Sequence, residues 1–477
     1  MWSDSPRRGC SASEAFDVTQ WFVGVIMPEF RAPAGDGDDA DALLSPTSAV
    51  DALFWKKAEE LNAAAAKHEP ERRPASCVEA YSVSACVSSL AAAALGAGAL
   101  ALPYAFSLTG VGLGLVTMTF AGVISALSLQ ILMVAARYTD AKSYAAVLEL
   151  AVGSRWASVA LDIILVINGF GALVCILIFE GDFIPAILAH PPAIFDSEGA
   201  DFPRNAAVMG AAVAAWPLTL SSNISALRYV SLLVPIVLMT IIVIVVWNTP
   251  GLHAVLRASG GRLEWWDFEP RRWLQPLAIM VNAFASHMNG IPCMHELANP
   301  SVARIVKASV YGNLLVWILL SVMGIAGYLS WGAATQGDFL LNYPGGSLDI
   351  WACRVMLALL VYLVLPVACF PTARSGAQLF FAAVGRRAAE VGPVAHASSA
   401  TVLILAAICV ARSVRNVASL LGFLGGLLAA SLMFWFPAMV YRLLLWRTQP
   451  RASRGFVLLV LIVIASLCWA SVLIKFV

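Results

Sequence analysis

The sequence predicts an all-α polytopic membrane protein with about eleven transmembrane helices. Of its 477 residues, 60% are hydrophobic and 12% are charged, and the mean hydropathy is +0.80, whereas soluble domains carry about 25% charged residues. Apolar runs close to the length of about 20 residues that crosses a bilayer recur from residue 84 onward. Two of these runs have glycine and proline in their middle, which predicts helices interrupted inside the membrane.

The first 83 residues differ in charge from the rest of the chain. They hold 8 basic and 14 acidic residues, whereas the remainder holds 22 and 15. This composition predicts a largely flexible cytoplasmic segment, acidic around residues 35–41 and without a cleaved signal peptide. Residues 51–68 have the composition of an amphipathic helix on the membrane or the inner face of the protein, with an ordinary surface helix as the alternative. Residues 39–44 resemble an acidic dileucine sorting signal.

Hydropathy predicts eleven spans and their orientation. The spans lie near residues 84–107, 112–136, 155–188, 204–220, 226–248, 273–294, 306–330, 350–381, 398–413, 417–442 and 454–475. With a cytoplasmic amino terminus, the inner segments hold 21 of the 30 Lys and Arg residues, as the positive-inside rule requires. The nine cysteines show no paired spacing, which predicts buried free thiols and no metal site.

The order of the unusual spans predicts an internal repeat. Spans one and six are interrupted, and spans three and eight are longer than a bilayer requires. Two five-helix repeats of opposite orientation produce this pattern. The predicted units are a flexible segment over 1–83, a first repeat over 84–248, an inverted second repeat over 273–442, and an additional span over 454–475.

The interruption in span one is the stretch from Leu95 through Gly96, Ala97 and Gly98 to Ala99, followed by Pro103. An opened helix in lipid is tolerated only around a cavity or against other protein. The amino-terminal end of the following half-helix suits a carboxylate, and freed carbonyls suit an ammonium group. We therefore predict that these small residues bind a zwitterion, with a helix-packing face as the alternative.

Span six contains a polar group at its interruption. Ser286, His287 and Asn289 precede Gly290 and Pro292. An ionisable side chain inside a membrane predicts a functional site, so these three polar residues are predicted to bind substrate. His287 is the candidate for proton coupling, and a neutral imidazole bonded to a nearby carbonyl is the alternative.

Span three holds polar residues at two depths. A helix that begins near Arg155 reaches the middle of the bilayer near Asn168, and Glu180 lies about 37 Å along it. Asn168 is therefore a candidate for the central site, with an interhelical hydrogen bond as the alternative. Glu180 and Asp182 are predicted to lie at an outer vestibule, where they attract cationic solutes.

Several stretches together resemble the amino acid/auxin permease family of LeuT-type secondary transporters, with a general similarity to protozoan members. They cover about 84–442 and comprise Gly96 to Gly110, Ser286 to Pro300, Gly327 to Trp331, Leu365 to Pro371 and Leu421 to Gly426. The resemblance implies eleven spans, a five-plus-five inverted repeat, and substrate held by spans one and six. It also implies a multi-pass protein of the plasma membrane or an endolysosomal or vacuolar membrane.

The chain departs from the sodium-coupled members of that family. Ala92 stands where those members have Asn, and Val364 lies where they have hydroxyl residues. We therefore expect amino acid transport by alternating access that is proton-coupled or facilitative, for a neutral or cationic amino acid. An amino acid sensor that signals through the amino-terminal tail is the alternative. No cofactor, metal or nucleic acid is predicted, and the incomplete HExxH pattern at His295 argues against an enzyme.

Overall fold

The computed structural model describes residues 82–95, 97–192, 199–220, 228–384, 391–414, 416–446 and 451–474. Every regular element in these ranges is helical, which confirms the predicted fold class. The predictions for residues 35–68 and for Gly96 lie outside the described residues.

The helices are numbered in chain order. They are α1 (Val83–Ala94), α2 (Leu102–Ser107), α3 (Val111–Thr139), α4 (Tyr144–Val152), α5 (Arg155–Ala189), α6 (Arg204–Thr219), α7 (Arg228–Ala258), α8 (Pro270–Asn282), α9 (His287–Glu296), α10 (Val302–Trp331), α11 (Leu348–Ala383), α12 (Pro393–Ser413), α13 (Val417–Leu445) and α14 (Arg451–Leu473). A 3-10 turn over Ala97–Ala101 joins α1 to α2, and another over Phe339–Asn342 lies between α10 and α11.

Eight helices in the described ranges are long and apolar enough to cross a membrane, and the bent pair α1 and α2 makes a ninth. The other two predicted spans coincide with α6, which has only 16 residues, and with the pair α8 and α9. A helix of 16 residues is about 24 Å long, which is less than the hydrocarbon core. The count of eleven spans therefore stays a prediction.

The structure contains both of the predicted long spans, and they are neighbours. Helix α5 has 35 residues and α11 has 36, and the two pack along each other. Helix α10 packs against α1, α2, α3 and α7. The breaks in spans one and six and the long helices α5 and α11 recur at matching positions, as an inverted repeat requires.

Helix α4 is a short element that span counting misses. It begins after Ser143, whose hydroxyl accepts a hydrogen bond from the Ala146 amide, and ends at Gly153 with a φ of 71°. Its Tyr144 hydroxyl donates to the Leu432 carbonyl at 2.6 Å. That carbonyl lies in one of the π-helical turns of α13, so α4 satisfies a polar group that the irregular helix presents.

Candidate functional site

The break in span one follows from its small residues and its proline. Helix α1 ends at Ala94, Leu95 leaves the helical conformation with ψ 64°, and the chain re-enters a helix through the Ala97–Ala101 turn. Pro103 stands in the first turn of α2, where its missing N–H costs nothing. Leu95 and Ala99 are buried.

The break in span six spans the four residues between α8 and α9. The Phe284 amide donates to the Val281 carbonyl at 3.0 Å, and the Ser286 amide donates to the Phe284 carbonyl at 2.8 Å. Tight turns therefore replace the helical hydrogen-bond pattern here. The Ser286 side chain does not cap α9. The first amides of α9 therefore keep the partial positive charge of a helix amino terminus.

The two breaks touch each other. A methyl group added at Gly98 would lie 3.3 Å from the Ala283 Cα atom, so the backbones of the two opened segments are nearly in contact. Helix α5 also contacts the Ala97–Ala101 turn. The fold therefore brings together the opened segments of spans one and six beside span three.

His287 lies at this crossing and faces α3. Its Nε2 atom is 2.7 Å from the Ser128 hydroxyl, and the side chain is 1% exposed. Ser128 donates its own hydrogen to the Ser125 carbonyl at 3.0 Å, so Nε2 acts as the donor toward Ser128. The Nδ1 atom is then an acceptor, and it has no partner among the described residues.

Sequence reasoning missed the serines that support this break. The Ser125 hydroxyl donates to the Phe284 carbonyl at 3.4 Å, and Ser128 lies one turn further along the same face of α3. Both serines are fully buried. Their spacing of three residues within an apolar span was the available signal, because side chains at that spacing share a helix face.

The remaining central candidates are placed differently. The Asn289 side chain is exposed, whereas Ser286 is buried. Asn168 is partly exposed and precedes Gly169, which packs directly against the Thr372 hydroxyl on α11. Their assignment to a substrate site stays a prediction.

Glu180 and Asp182 have unlike surroundings. Asp182 forms an ion pair with Arg204 at 2.6 Å and keeps 18% of its side-chain exposure. Glu180 lies on α5, is only 2% exposed, and lines a cavity together with residues of α6 and α11. Their role at an outer vestibule stays a prediction.

Sequence reasoning also missed a buried acidic residue in the segment between α10 and α11. Asp338 is 7% exposed, and neither carboxylate oxygen has a hydrogen-bond partner among the described residues. Burial, reinforced by the charge of Asp182, raises the pKa of Asp338 well above its usual range, against the opposing effect of Arg354. The adjoining Phe339–Asn342 turn contacts the Ala97–Ala101 turn, so this acid lies near the opened span one.

Residues 80–477 match the family model described as transmembrane amino acid transporter protein. The chain belongs to this family, the amino acid/auxin permeases. The family and its curated relatives are transporters and not enzymes. The resemblance drawn from the motifs is therefore confirmed.

Curated relatives include putative amino acid transporter AAT1 of Toxoplasma gondii, which is 29% identical over 56% of this chain and 36% of its own length. Vacuolar amino acid transporter 7 of Saccharomyces cerevisiae is 26% identical over 44% of this chain and 41% of its own length. The chain thus spans well under two thirds of these relatives.

Solved structures with the same fold include MhsT in complex with L-phenylalanine, at 13% identity and a TM-score of 0.50 over 81% of this chain and 97% of that one. Mhp1, a nucleobase-cation-symport-1 family transporter, has 12% identity and a TM-score of 0.51 over 84% of this chain and 95% of that one. At these identities the likeness shows the fold alone, which is of the LeuT type.

Proposed function

We propose that this protein moves amino acids across a membrane by alternating access. The observation that carries the proposal is the contact of Gly98 with Ala283, which brings two opened helices together inside the bilayer. Unpaired backbone groups in lipid are costly unless a ligand or protein satisfies them. The relatives named above are amino acid transporters, which supports the same substrate class.

In the proposed complex the two charged ends of a zwitterion meet different parts of this crossing. The carboxylate lies against the opened backbone from Leu95 to Ala99, ahead of the uncapped amino terminus of α2. The ammonium group lies near the carbonyls of the Ser286 to Asn289 segment. The small side chains of Gly98 and Ala99 let the ligand approach the main chain closely.

Transport is proposed to be proton-coupled or facilitative. Ala92 and Val364 supply no side-chain oxygen where sodium-coupled family members have one, and a hard cation requires several oxygen ligands. The unpartnered Nδ1 atom of His287 offers a position that can accept a proton. A cytoplasmic amino terminus and residence in the plasma membrane or an endolysosomal or vacuolar membrane complete the proposal.

Purified protein in liposomes tests the proposal. Uptake of a panel of labelled amino acids is measured with an inward proton gradient, an inward sodium gradient, or neither. We expect accumulation of one group of neutral or cationic amino acids that a proton gradient enhances, or equilibration without any gradient. Accumulation that requires sodium would refute the coupling, and saturable binding without flux under every condition would favour the sensor.

A further inference from the structure

A cavity of about 460 Å³ lies outside the crossing of spans one and six, between α5, α6 and α11. One face of each helix lines it, at the spacings of three and four residues that put side chains on the same face. The lining residues are Glu180, Ile184 and Ile187 on α5, Gly210, Ala211 and Ala214 on α6, and Val355, Ala358, Leu359 and Tyr362 on α11. The cavity exists because the α6 residues that line it are glycine and alanine, whose side chains are too small to fill the space.

The rim of the cavity is exposed and apolar. Gly210 is exposed, and a methyl group added to it would have no neighbour within 4 Å. On the opposite rim, 56% of the Leu359 surface is exposed. An exposed apolar rim suits contact with acyl chains, so the ligand proposed below is one that enters from the bilayer.

The carboxylate in this cavity has no ion-pair partner among the residues that the structure describes. Glu180 is 2% exposed, and its Oε1 atom has no hydrogen-bond partner in the described part of the chain. None of the lining residues is basic. An acid in apolar surroundings is costly unless it is paired or holds a proton.

The nearby guanidinium is already engaged. Arg204 packs against Gly181, next to Glu180. Its Nε atom donates to Asp182 at 2.6 Å, and its other two nitrogens donate to the carbonyls of Ala411 and Val414 at 3.2 and 3.3 Å. Among the described residues, Arg204 pairs with Asp182 and forms no ion pair with Glu180.

We propose that this cavity binds a lipophilic amine, with the ammonium group paired to Glu180 and the apolar body against α6 and α11. The volume falls in the range of about 300 to 1,000 Å³ that is typical of small-molecule sites. An amine that arrives neutral from the lipid takes the proton of a neutral Glu180, so the pair forms without a net charge entering the membrane. The site is distinct from the Gly98–Ala283 crossing, and the proposal requires the fold but not transport.

Binding of radiolabelled octylamine to the full-length protein in lipid nanodiscs tests this inference, with empty nanodiscs subtracted. We compare wild type with Glu180→Gln, which removes the charge, and Gly210→Leu, which puts a bulky side chain on the cavity wall at a position where an added Cβ has no neighbour within 4 Å. Gly455→Leu is the matched control, because Gly455 also has no neighbour within 4 Å and lies on α14. Labelled octanol tests whether the tail alone is sufficient.

We expect saturable binding of octylamine to wild type and to Gly455→Leu, and binding at least about tenfold weaker to Glu180→Gln and Gly210→Leu. Octanol should show no difference between wild type and Glu180→Gln. Equal affinity of wild type and Gly210→Leu for octylamine would overturn the proposal, and so would the absence of saturable binding to wild type. If Glu180→Gln does not fold, Gly210→Leu decides the matter alone.

Discussion

His287 has a fixed donor and an unused acceptor, which is an unusual arrangement for a fully buried histidine. Ser128 holds Nε2 at 2.7 Å, while Nδ1 has no partner among the described residues. Buried polar atoms without partners cost free energy and often mark a position that a ligand or water completes. The Nε2 partner is a hydroxyl and not the carbonyl of the alternative, and a role of His287 in proton coupling stays a prediction.

We predict that His287→Gln flattens the pH dependence of amino acid uptake, because Gln keeps a hydrogen-bonding group toward Ser128 but cannot take up a proton. The measurement is initial uptake rate in liposomes across a range of external pH. His295→Gln is the control, because His295 lies on the same helix, is exposed, and bonds to the Ala141 carbonyl at 2.9 Å. An unchanged profile in His287→Gln would remove His287 from the coupling.

The burial of Asp338 predicts that the stability of the folded protein depends on pH. Because its folded pKa is raised, mainly by burial, the stability that its neutral form contributes is present at low pH and is lost as pH rises through that pKa. The charged groups that act on it are Asp182, which Arg204 neutralises in part, and Arg354, whose Nη2 atom donates to the carbonyls of Leu340 and Tyr343.

We therefore expect the melting temperature of the purified protein to fall as pH rises from the usual range of aspartic acid pKa values toward the raised pKa of Asp338, and Asp338→Asn to reduce that fall. Asn keeps the shape of the side chain but does not ionise. Asp201→Asn, at an exposed position, serves as the control. Identical melting curves of wild type and Asp338→Asn at every pH would show that Asp338 does not titrate in this range.

At the scale of single elements, the sequence was most informative where glycine, proline and length are unusual. The breaks near Gly98 and Ser286 and the excess length of α5 and α11 were visible in the chain, because each violates what a plain membrane helix requires. Helix α4 was missed because nine residues are too few to span a bilayer, although Ser143 and Gly153 are ordinary helix-ending signals.

Side-chain direction could not be predicted in the same way. The helical rise gave the depth of Glu180, but its burial depends on the small residues of α6 that pack beside it. His287 likewise reaches Ser128 only through the packing of α9 on α3, over a separation of 159 residues. Contacts between distant elements follow from tertiary packing, which no local pattern in this chain records.

The first half of span one and the second half of span six give a prediction about motion. Cys86 on α1 and Cys293 on α9 are both free and buried and lie close enough to interact, and the Cys293 thiol also donates to the Ser89 hydroxyl at 3.3 Å. Alternating access requires these half-helices to rearrange. We predict that cross-linking them with copper phenanthroline abolishes uptake in liposomes and that dithiothreitol restores it.

Two variants make the cross-linking experiment specific. Cys86→Ser should resist the oxidant, and Cys409→Ser, which removes an exposed cysteine, should remain sensitive. Mass spectrometry verifies the disulfide between Cys86 and Cys293. Full uptake by protein that carries this bond would contradict the proposed motion.

At the scale of the whole molecule, the breaks in spans one and six lie against each other, and the remaining spans hold them there. Helices α3 and α10 pack against the opened spans, and α5, which packs along α11, contacts the Ala97–Ala101 turn. A bundle in which the irregular backbone lies at one internal point concentrates exposed polar groups where a small ligand can satisfy them.

Uptake by Gly98→Val tests this account most directly. The Gly98 Cβ position is 3.3 Å from the Ala283 Cα atom, so a branched side chain must push the opened segments apart, whereas Gly251 has no neighbour within 4 Å. We expect Gly98→Val to insert normally but to lose at least about tenfold in initial uptake, equivalent to about 1.4 kcal/mol, and Gly251→Val to retain wild-type uptake. Wild-type uptake by Gly98→Val would contradict the claim that substrate is held where the two broken helices meet.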